Sequence, residues 1–128
     1  MGAQQIEAIR HALQEFMDAI ARNETGASDL CVTLTVTSEP DAWVQVADGI
    51  LNFSYPRIEE PLPFLESANV PSPPGLTLQT FEPEAFVTFS HGPCSAGLLA
   101  RFIESFLSAA HELPPDDYGI EVEVEGLA

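Results

Sequence analysis

The sequence contains no lysine, and its four basic residues are all arginines: Arg10, Arg22, Arg57 and Arg101. Twenty acidic residues oppose them, so the formal net charge is −16 at pH 7. Direct nucleic-acid binding needs lysine and arginine side chains that neutralise phosphates, and this chain cannot supply enough of them. So acidic a surface also repels anionic lipid headgroups. It favours either solubility alone or the attraction of a basic partner.

Long apolar runs and a disulfide framework are also absent. No stretch of about 18 consecutive apolar residues occurs, so we expect no membrane span. The two cysteines, Cys31 and Cys94, are too few for a disulfide framework, and we expect a cytoplasmic protein with free thiols. Hydrophobic residues make up 45% of the 128 residues, the ordinary fraction for a globular chain. We therefore expect a single domain over residues 1–128.

The hydrophobic pattern predicts two helices and about six strands. Apolar residues recur at spacings of three and four over 4–22 and over 96–111, which is typical of amphipathic helices, and Ser95 is a suitable N-cap for the second. Alternating or β-branched segments predict strands over 30–37, 42–47, 50–55, 76–81, 85–90 and 118–125. Asp48-Gly49 predicts a tight hairpin turn. The expected fold is α+β, an antiparallel sheet of five to six strands with the order α-β-β-β-loop-β-β-α-β.

The segment 56–75 holds six of the eleven prolines. Proline fixes φ and lacks an amide donor, which excludes a long helix or a central strand here. We expect a stiff loop lying over the sheet, with at most a short helical turn around 64–68. Such a loop is either a lid over a binding surface or a stiffened connector.

Five aromatic residues fall on the predicted strands: Trp43, Phe53, Tyr55, Phe86 and Phe89. Strand alternation places Phe86 and Phe89 on opposite faces of the sheet, so the five rings cannot all share one face. Either the two helices cover both faces, or some rings form an apolar groove for a peptide or a homodimer seam.

The last predicted strand has one wholly acidic face, formed by Glu121, Glu123 and Glu125. At a period of two residues these charges stand about 7 Å apart and repel one another. They either protect a sheet edge from aggregation or dock a basic partner segment.

Two groups of cysteine, histidine and glutamate residues raise the question of catalysis or metal binding. Cys94 lies before a predicted helix with His91 three residues upstream, so a Cys/His nucleophile pair of a small-molecule enzyme is one hypothesis. No third, orienting group is recognisable, and a packed cysteine is the alternative. His11 with Glu7 and Glu15 is a metal hypothesis, although such triplets are common on helix surfaces. We predict no catalytic residues, no metal and no cofactor.

His111 has a simpler explanation at this level. It ends the second predicted helix, where a positive charge is favourable.

The order of features along the chain resembles a known superfamily. The matching features are the hairpin strand Trp43-Val44-Gln45, the segments Leu62-Pro63-Phe64-Leu65 and Pro73-Pro74-Gly75, the strand Phe86-Val87-Thr88-Phe89, and the helix start Leu98-Leu99-Ala100-Arg101. This order resembles the peptide-binding, chaperone-like superfamily that joins type III secretion chaperones to the YbjN-like proteins. The resemblance covers most of the chain. It implies a helix–sheet–helix platform that often dimerises and binds partner polypeptides, although the acidic strand at 118–125 departs from the secretion chaperones, whose chains tend to finish on a helix.

Taken together, these patterns favour a non-enzymatic, chaperone-like or adaptor-like protein-binding module that forms a homodimer. Its partner's apolar segment would be buried against the sheet aromatics Trp43, Phe53, Tyr55, Phe86 and Phe89. The alternative is an acidic immunity or inhibitor protein that binds a basic partner through its negative surface. Salt separates the two hypotheses, because a charge-driven complex weakens steeply as salt rises and an apolar one does not.

Overall fold

The computed structural model describes residues 2–21, 30–37, 39–47, 49–70, 72–92, 94–113 and 120–126. Its helices are α1 (Gly2–Ala21), α2 (Pro61–Ser67) and α3 (Ala96–His111). Its strands are β1 (Leu30–Val36), β2 (Glu39–Ala47), β3 (Ile50–Ser54), β4 (Thr77–Glu82), β5 (Phe86–Ser90) and β6 (Ile120–Gly126). The α+β class and the order of the elements are confirmed, with α2 added inside the predicted loop. Among the helices described, none is long and apolar enough to cross a membrane.

The strands form one antiparallel sheet of six strands in the order β4-β5-β3-β2-β1-β6. β1, β2 and β3 form a meander, while β6 returns to pair with β1 and leaves β4 and β6 as the two edges. Ala47 pairs with Ile50, so a two-residue turn joins β2 to β3. Gly49 adopts a φ of 73°, which a residue without a Cβ tolerates. Asp48, the other residue of the predicted turn, lies outside the described residues.

A single hydrophobic core lies on one face of the sheet. α1 and α3 pack against each other and insert their apolar stripes into this core. The largest fully buried side chains are Ile9 and Leu13 from α1, Leu65 from α2, Leu99, Phe102, Ile103 and Phe106 from α3, Leu34, Leu51, Phe53 and Phe89 from the strands, and Tyr55, which follows β3. Both long helices therefore cover the same face. The interpretation that they cover both faces is wrong.

The opposite face of the sheet, called the outer face below, presents the alternate residues of the same strands. Its central residues are Thr33, Thr35, Trp43, Gln45, Asn52, Phe86 and Thr88. None of the described helices packs on it, because α2 also turns its buried Leu65 into the core. An antiparallel sheet tolerates one solvated face, since its side chains alternate between the two faces.

The starts of α2 and β2 differ most from the prediction, by three residues each. α2 begins at Pro61, earlier than the predicted turn at 64–68, because proline suits the first helical turn, where its missing amide has no intrahelical partner. β2 begins at Glu39 rather than at residue 42 and contains Pro40. The register with β1 shifts between Thr35 and Val36, so Pro40 is not required to donate a ladder hydrogen bond.

Candidate functional site

The five aromatics that the sequence assigns to partner binding divide between the two faces. Phe53, Tyr55 and Phe89 are 0% exposed and belong to the core. Phe53 stacks on Phe106 of α3 with ring centroids 3.9 Å apart, and the Tyr55 ring lies 6.0 Å from the same ring. The expectation that these rings are exposed is therefore wrong for Phe53, Tyr55 and Phe89, because strand alternation directs them to the face that α3 covers.

Trp43 and Phe86 are half-buried and lie on the outer face, on either side of Ser54. Phe86 pairs with Ser54 in the register of β5 and β3. On the other side, the Trp43 amide donates to Ser54 Oγ at 2.9 Å, and that hydroxyl donates to the Trp43 carbonyl oxygen at 3.2 Å. Two strand spacings separate Trp43 from Phe86, about 10 Å. We call these two residues the aromatic pair.

Acidic residues stand at both ends of the row that contains the aromatic pair. Phe86 pairs with Glu82 on the edge strand β4. Trp43 pairs with Thr35, which pairs with Glu121 on the other edge strand, β6. Both glutamates are exposed, and five strand spacings, about 24 Å, separate them. The aromatic row of the outer face therefore runs from carboxylate to carboxylate across the whole sheet.

The neighbouring row of the outer face is polar and internally hydrogen-bonded. The Asn52 amide nitrogen donates to Gln45 Oε1 at 3.0 Å, and the Thr88 hydroxyl donates to Asn52 Oδ1 at 2.9 Å. These contacts hold the side chains of three adjacent strands in place. The apolar contact area of this face therefore comes from the aromatic pair and from Ile50, which is 37% exposed and shares the face of Asn52.

Both edges of the sheet carry features that hinder the addition of another strand. The register of β4 is irregular between Leu78 and Thr80, and the Gln79 amide nitrogen donates to Ser90 Oγ at 2.8 Å. On β6, Glu121 and Glu123 are exposed, in agreement with the predicted acidic face. The Glu125 side chain lies outside the described residues. Irregular register and edge charges both discourage pairing between sheets. Neither edge is therefore a good template for the addition of a further strand.

A cleft of about 590 Å³ opens beside Trp43. It lies between the start of β2, the end of β3, the β4–β5 turn and the last turn of α3. Four exposed carboxylate residues line it, and we call it the acidic cleft: Glu39, Asp41, Glu84 and Glu112. Reasoning from the sequence missed this cleft, because its residues come from four separate elements and form no local motif.

Ser54 and His111 are hydrogen-bonded within the acidic cleft. The Nε2 atom of His111 lies 3.0 Å from Ser54 Oγ and 3.2 Å from the Ser54 carbonyl oxygen. Because a carbonyl oxygen can only accept, Nε2 carries the proton and donates it. A serine nucleophile would need the opposite arrangement, in which Nε2 accepts the hydroxyl proton. The pair therefore joins α3 to β3 and does not activate the hydroxyl.

Burial determines the charge state of the His111 ring. Desolvation lowers its pKa below the ordinary value of 6.5, an effect that the hydrogen bond to Ser54 and the charges of Glu39 and Asp41 partly oppose. The ring is therefore neutral at pH 7. The explanation of His111 as a positive charge at a helix terminus is replaced by its contact with Ser54.

The Cys94 and His91 pair is not arranged for nucleophilic chemistry. His91 Nδ1 lies 2.8 Å from the Gly92 carbonyl oxygen and 3.8 Å from Cys94 Sγ. Because Nδ1 donates to that carbonyl, it cannot accept the thiol proton. Burial also raises the pKa of the Cys94 thiol. The geometry favours the packed-cysteine interpretation.

The proposed metal triplet on α1 does not converge. His11 Nε2 lies 3.2 Å from Glu15 Oε1, whereas Glu7 accepts a hydrogen bond from Arg10 Nε at 2.9 Å. Glu7 is therefore engaged by a neighbouring arginine. Nowhere in the described part of the chain do three histidine, cysteine, aspartate or glutamate residues form a group that could hold a metal ion.

The cation beside the acidic cleft is itself paired. Arg57 Nε lies 2.5 Å from Glu59 Oε2, and its Nη2 lies 3.1 Å from Glu59 Oε1, a bidentate contact. The guanidinium carbon also lies 4.6 Å from the centroid of the Phe64 ring. This contact with Arg57 lowers the pKa of Glu59. Arg57 therefore contributes little uncompensated positive charge to the cleft.

No protein-family model matches this chain, and no curated protein or solved structure matches it significantly. The resemblance to secretion chaperones and YbjN-like proteins therefore stays a prediction from the sequence.

Proposed function

We propose that this protein is a non-enzymatic polypeptide-binding module, chaperone-like or adaptor-like, that holds a partner segment on its outer face. One observation carries the proposal. Both long helices pack on the same face, so Trp43 and Phe86 remain half-buried on the face that no described helix covers. Aromatic rings supply large contact area at low entropic cost and dominate many protein interfaces.

Charge favours a basic polypeptide as the occupant of this face. Glu82 and Glu121 stand at the two ends of the aromatic row, and the chain carries a net charge of −16. The homodimer expected from the sequence would bring two such faces together, and their like charges would repel. A separate segment with apolar and basic side chains meets both features of the face. Self-association through this face would instead give a particle of twice 13.8 kDa in solution.

A peptide-display selection on the purified protein tests the proposal. We expect enriched peptides to combine apolar and basic residues, and to lose binding to the Phe86→Asp variant. Leu62→Asp is the matched control, because Leu62 is an exposed apolar residue, 43% accessible, on α2 rather than on the outer face. Circular dichroism checks that both variants stay folded. Failure to enrich any peptide, or equal binding by the Phe86→Asp variant, contradicts the proposal.

The second candidate is an acidic immunity or inhibitor protein that plugs a basic partner. Its supporting observation is that Arg10 and Arg57 are paired locally with Glu7 and Glu59, which leaves the acidic field largely uncompensated. For this candidate, raising salt from about 0.05 to 0.5 M should abolish binding, and Phe86→Asp should change affinity little. The outer-face proposal instead requires that Phe86→Asp abolish binding, whereas added salt weakens binding without abolishing it, because salt does not screen the apolar contacts with the aromatic pair.

A further inference from the structure

The acidic cleft and the outer face share Trp43. This residue lines the cleft and also lies in the aromatic row beside Ser54. A segment bound along the row therefore passes the opening of the cleft at one of its two aromatic contacts.

Negative charge converges on this cleft from three elements. Glu39 and Asp41 come from the start of β2, Glu84 from the turn between β4 and β5, and Glu112 from the C-cap of α3. A helix C-terminus carries partial negative charge, which adds to that of Glu112. All four carboxylate residues are exposed, so a ligand has access to them.

Little positive charge offsets these carboxylates. Arg57 is the single arginine among the lining residues, and its Nε and Nη2 atoms both donate to Glu59. His111 is hydrogen-bonded to Ser54, and burial lowers its pKa, which keeps the ring neutral at pH 7. The cleft therefore retains a net negative charge at neutral pH.

We propose that the outer face recognises a basic segment, whose arginine or lysine side chain enters the acidic cleft beside Trp43. This inference rests on the polypeptide-binding function proposed above. Carboxylates give charge-assisted hydrogen bonds to such a cation, and an indole is the best ring for a cation–π contact. An apolar side chain two or three residues from the cation in the same segment packs on Phe86, because an extended chain spans about 3.5 Å per residue. The cleft thus selects the partner, and the aromatic pair supplies contact area.

Two synthetic peptides test the inference by calorimetric titration. One has two leucines flanked on both sides by arginines, and the other has glutamine in place of each arginine. We expect the arginine peptide to bind at least about tenfold more tightly. The double variant Glu39→Gln/Asp41→Asn should remove most of this difference, and Glu84→Gln, on a separate element, should reduce it. Glu66→Gln is the control, since Glu66 is exposed on α2 away from the cleft.

The outcomes separate this inference from the function on which it rests. Equal affinity of the two peptides, with binding still lost in Phe86→Asp, overturns the role of the cleft and leaves the polypeptide-binding function standing. Undiminished preference for arginine in both cleft variants also overturns the cleft as the site of the cation. Binding of neither peptide, together with no peptide enriched by display, contradicts both proposals.

Discussion

His111, in the last turn of α3, donates its Nε2 proton to the carbonyl oxygen of Ser54 at 3.2 Å and lies 3.0 Å from the Ser54 hydroxyl. The same hydroxyl bonds both backbone groups of Trp43. One serine therefore joins a helix of the core layer to two strands of the sheet. This junction places Trp43 at the boundary between the outer face and the acidic cleft.

Replacement of Ser54 by alanine should destabilise the protein through this junction. The Trp43 amide and carbonyl would lose their partner inside the fold, since Ser54 is only 5% exposed. An unsatisfied buried polar group costs about 1–3 kcal/mol, and we expect a loss of that size in the free energy of unfolding measured with urea. Ser67→Ala, at an exposed position, should change it by less than about 0.5 kcal/mol. Equal effects of the two variants would show that the junction contributes nothing.

His111 should make stability depend on pH below neutrality. Its pKa in the folded protein is lower than the ordinary value of 6.5, chiefly because of burial, so the unfolded chain takes up a proton first as the pH falls. The contribution of His111 to the free energy of unfolding should therefore be fully present above pH 6.5 and decrease as the pH falls below it. Glu39 and Asp41 attract the charged ring and reduce the size of the effect.

Urea denaturation at several pH values measures this contribution. The His111→Gln variant, which keeps a side-chain amide donor but does not titrate, should show a flatter pH dependence. Ser67→Ala, a substitution of an exposed residue that does not titrate, should keep the wild-type slope. Identical slopes for the wild type and His111→Gln would contradict the assignment.

The two classes of sheet aromatics should differ in their effect on stability. Phe53 is 0% exposed and contacts Phe89, Phe102 and Phe106, so Phe53→Ala should cost about 3–5 kcal/mol of unfolding free energy. Phe86→Ala, at a half-buried position on the outer face, should cost about 1 kcal/mol. Thermal and urea unfolding of the two variants provide the comparison. A larger loss of stability in Phe86→Ala than in Phe53→Ala would contradict the assignment of Phe53 to the core and Phe86 to the outer face.

Tyr55 should lose its phenol proton at a higher pH than an ordinary tyrosine. Burial, followed by the charge of Glu59, raises the pKa of this phenol from 10.0 to about 12, and the hydroxyl donates to the Glu59 carbonyl oxygen at 2.8 Å. Because the unfolded chain loses this proton first, stability should decrease as the pH rises above 10. The protein has two tyrosines, so an ultraviolet titration in a Tyr118→Phe background isolates Tyr55. A midpoint at 10 in the folded protein would mean that the phenol is solvated.

Much of the fold follows from local patterns in the sequence. α3 occupies residues 96–111 as predicted, because its apolar stripe, the Ser95 cap and the loss of periodicity after His111 coincide. Ser95 does accept a hydrogen bond from the Leu98 amide at 3.1 Å. Strand alternation also places Phe53 and Tyr55 on one face. Val44 pairs with Phe53, so the adjacent Trp43 lies on the other face.

The arrangement of the layers could not be predicted in the same way. An amphipathic stripe shows that a helix packs on something, but it does not show which face of the sheet receives it, so the burial of Phe89 against α3 was not foreseen. The acidic cleft was missed for a related reason. Ser54 and His111 are 57 residues apart, and the carboxylates around them resemble ordinary turn residues when each is viewed alone.

Fluorescence quenching of Trp43, the only tryptophan in the chain, tests the central claim most directly. Trp43 is half-buried on the outer face of the free protein, so acrylamide should quench its emission readily. Addition of the arginine-flanked leucine peptide at saturating concentration should shield the indole and lower the quenching constant, and Phe86→Asp should abolish this protection. An unchanged quenching constant, in a sample where calorimetry shows the peptide bound, would contradict the assignment of the outer face as the binding surface.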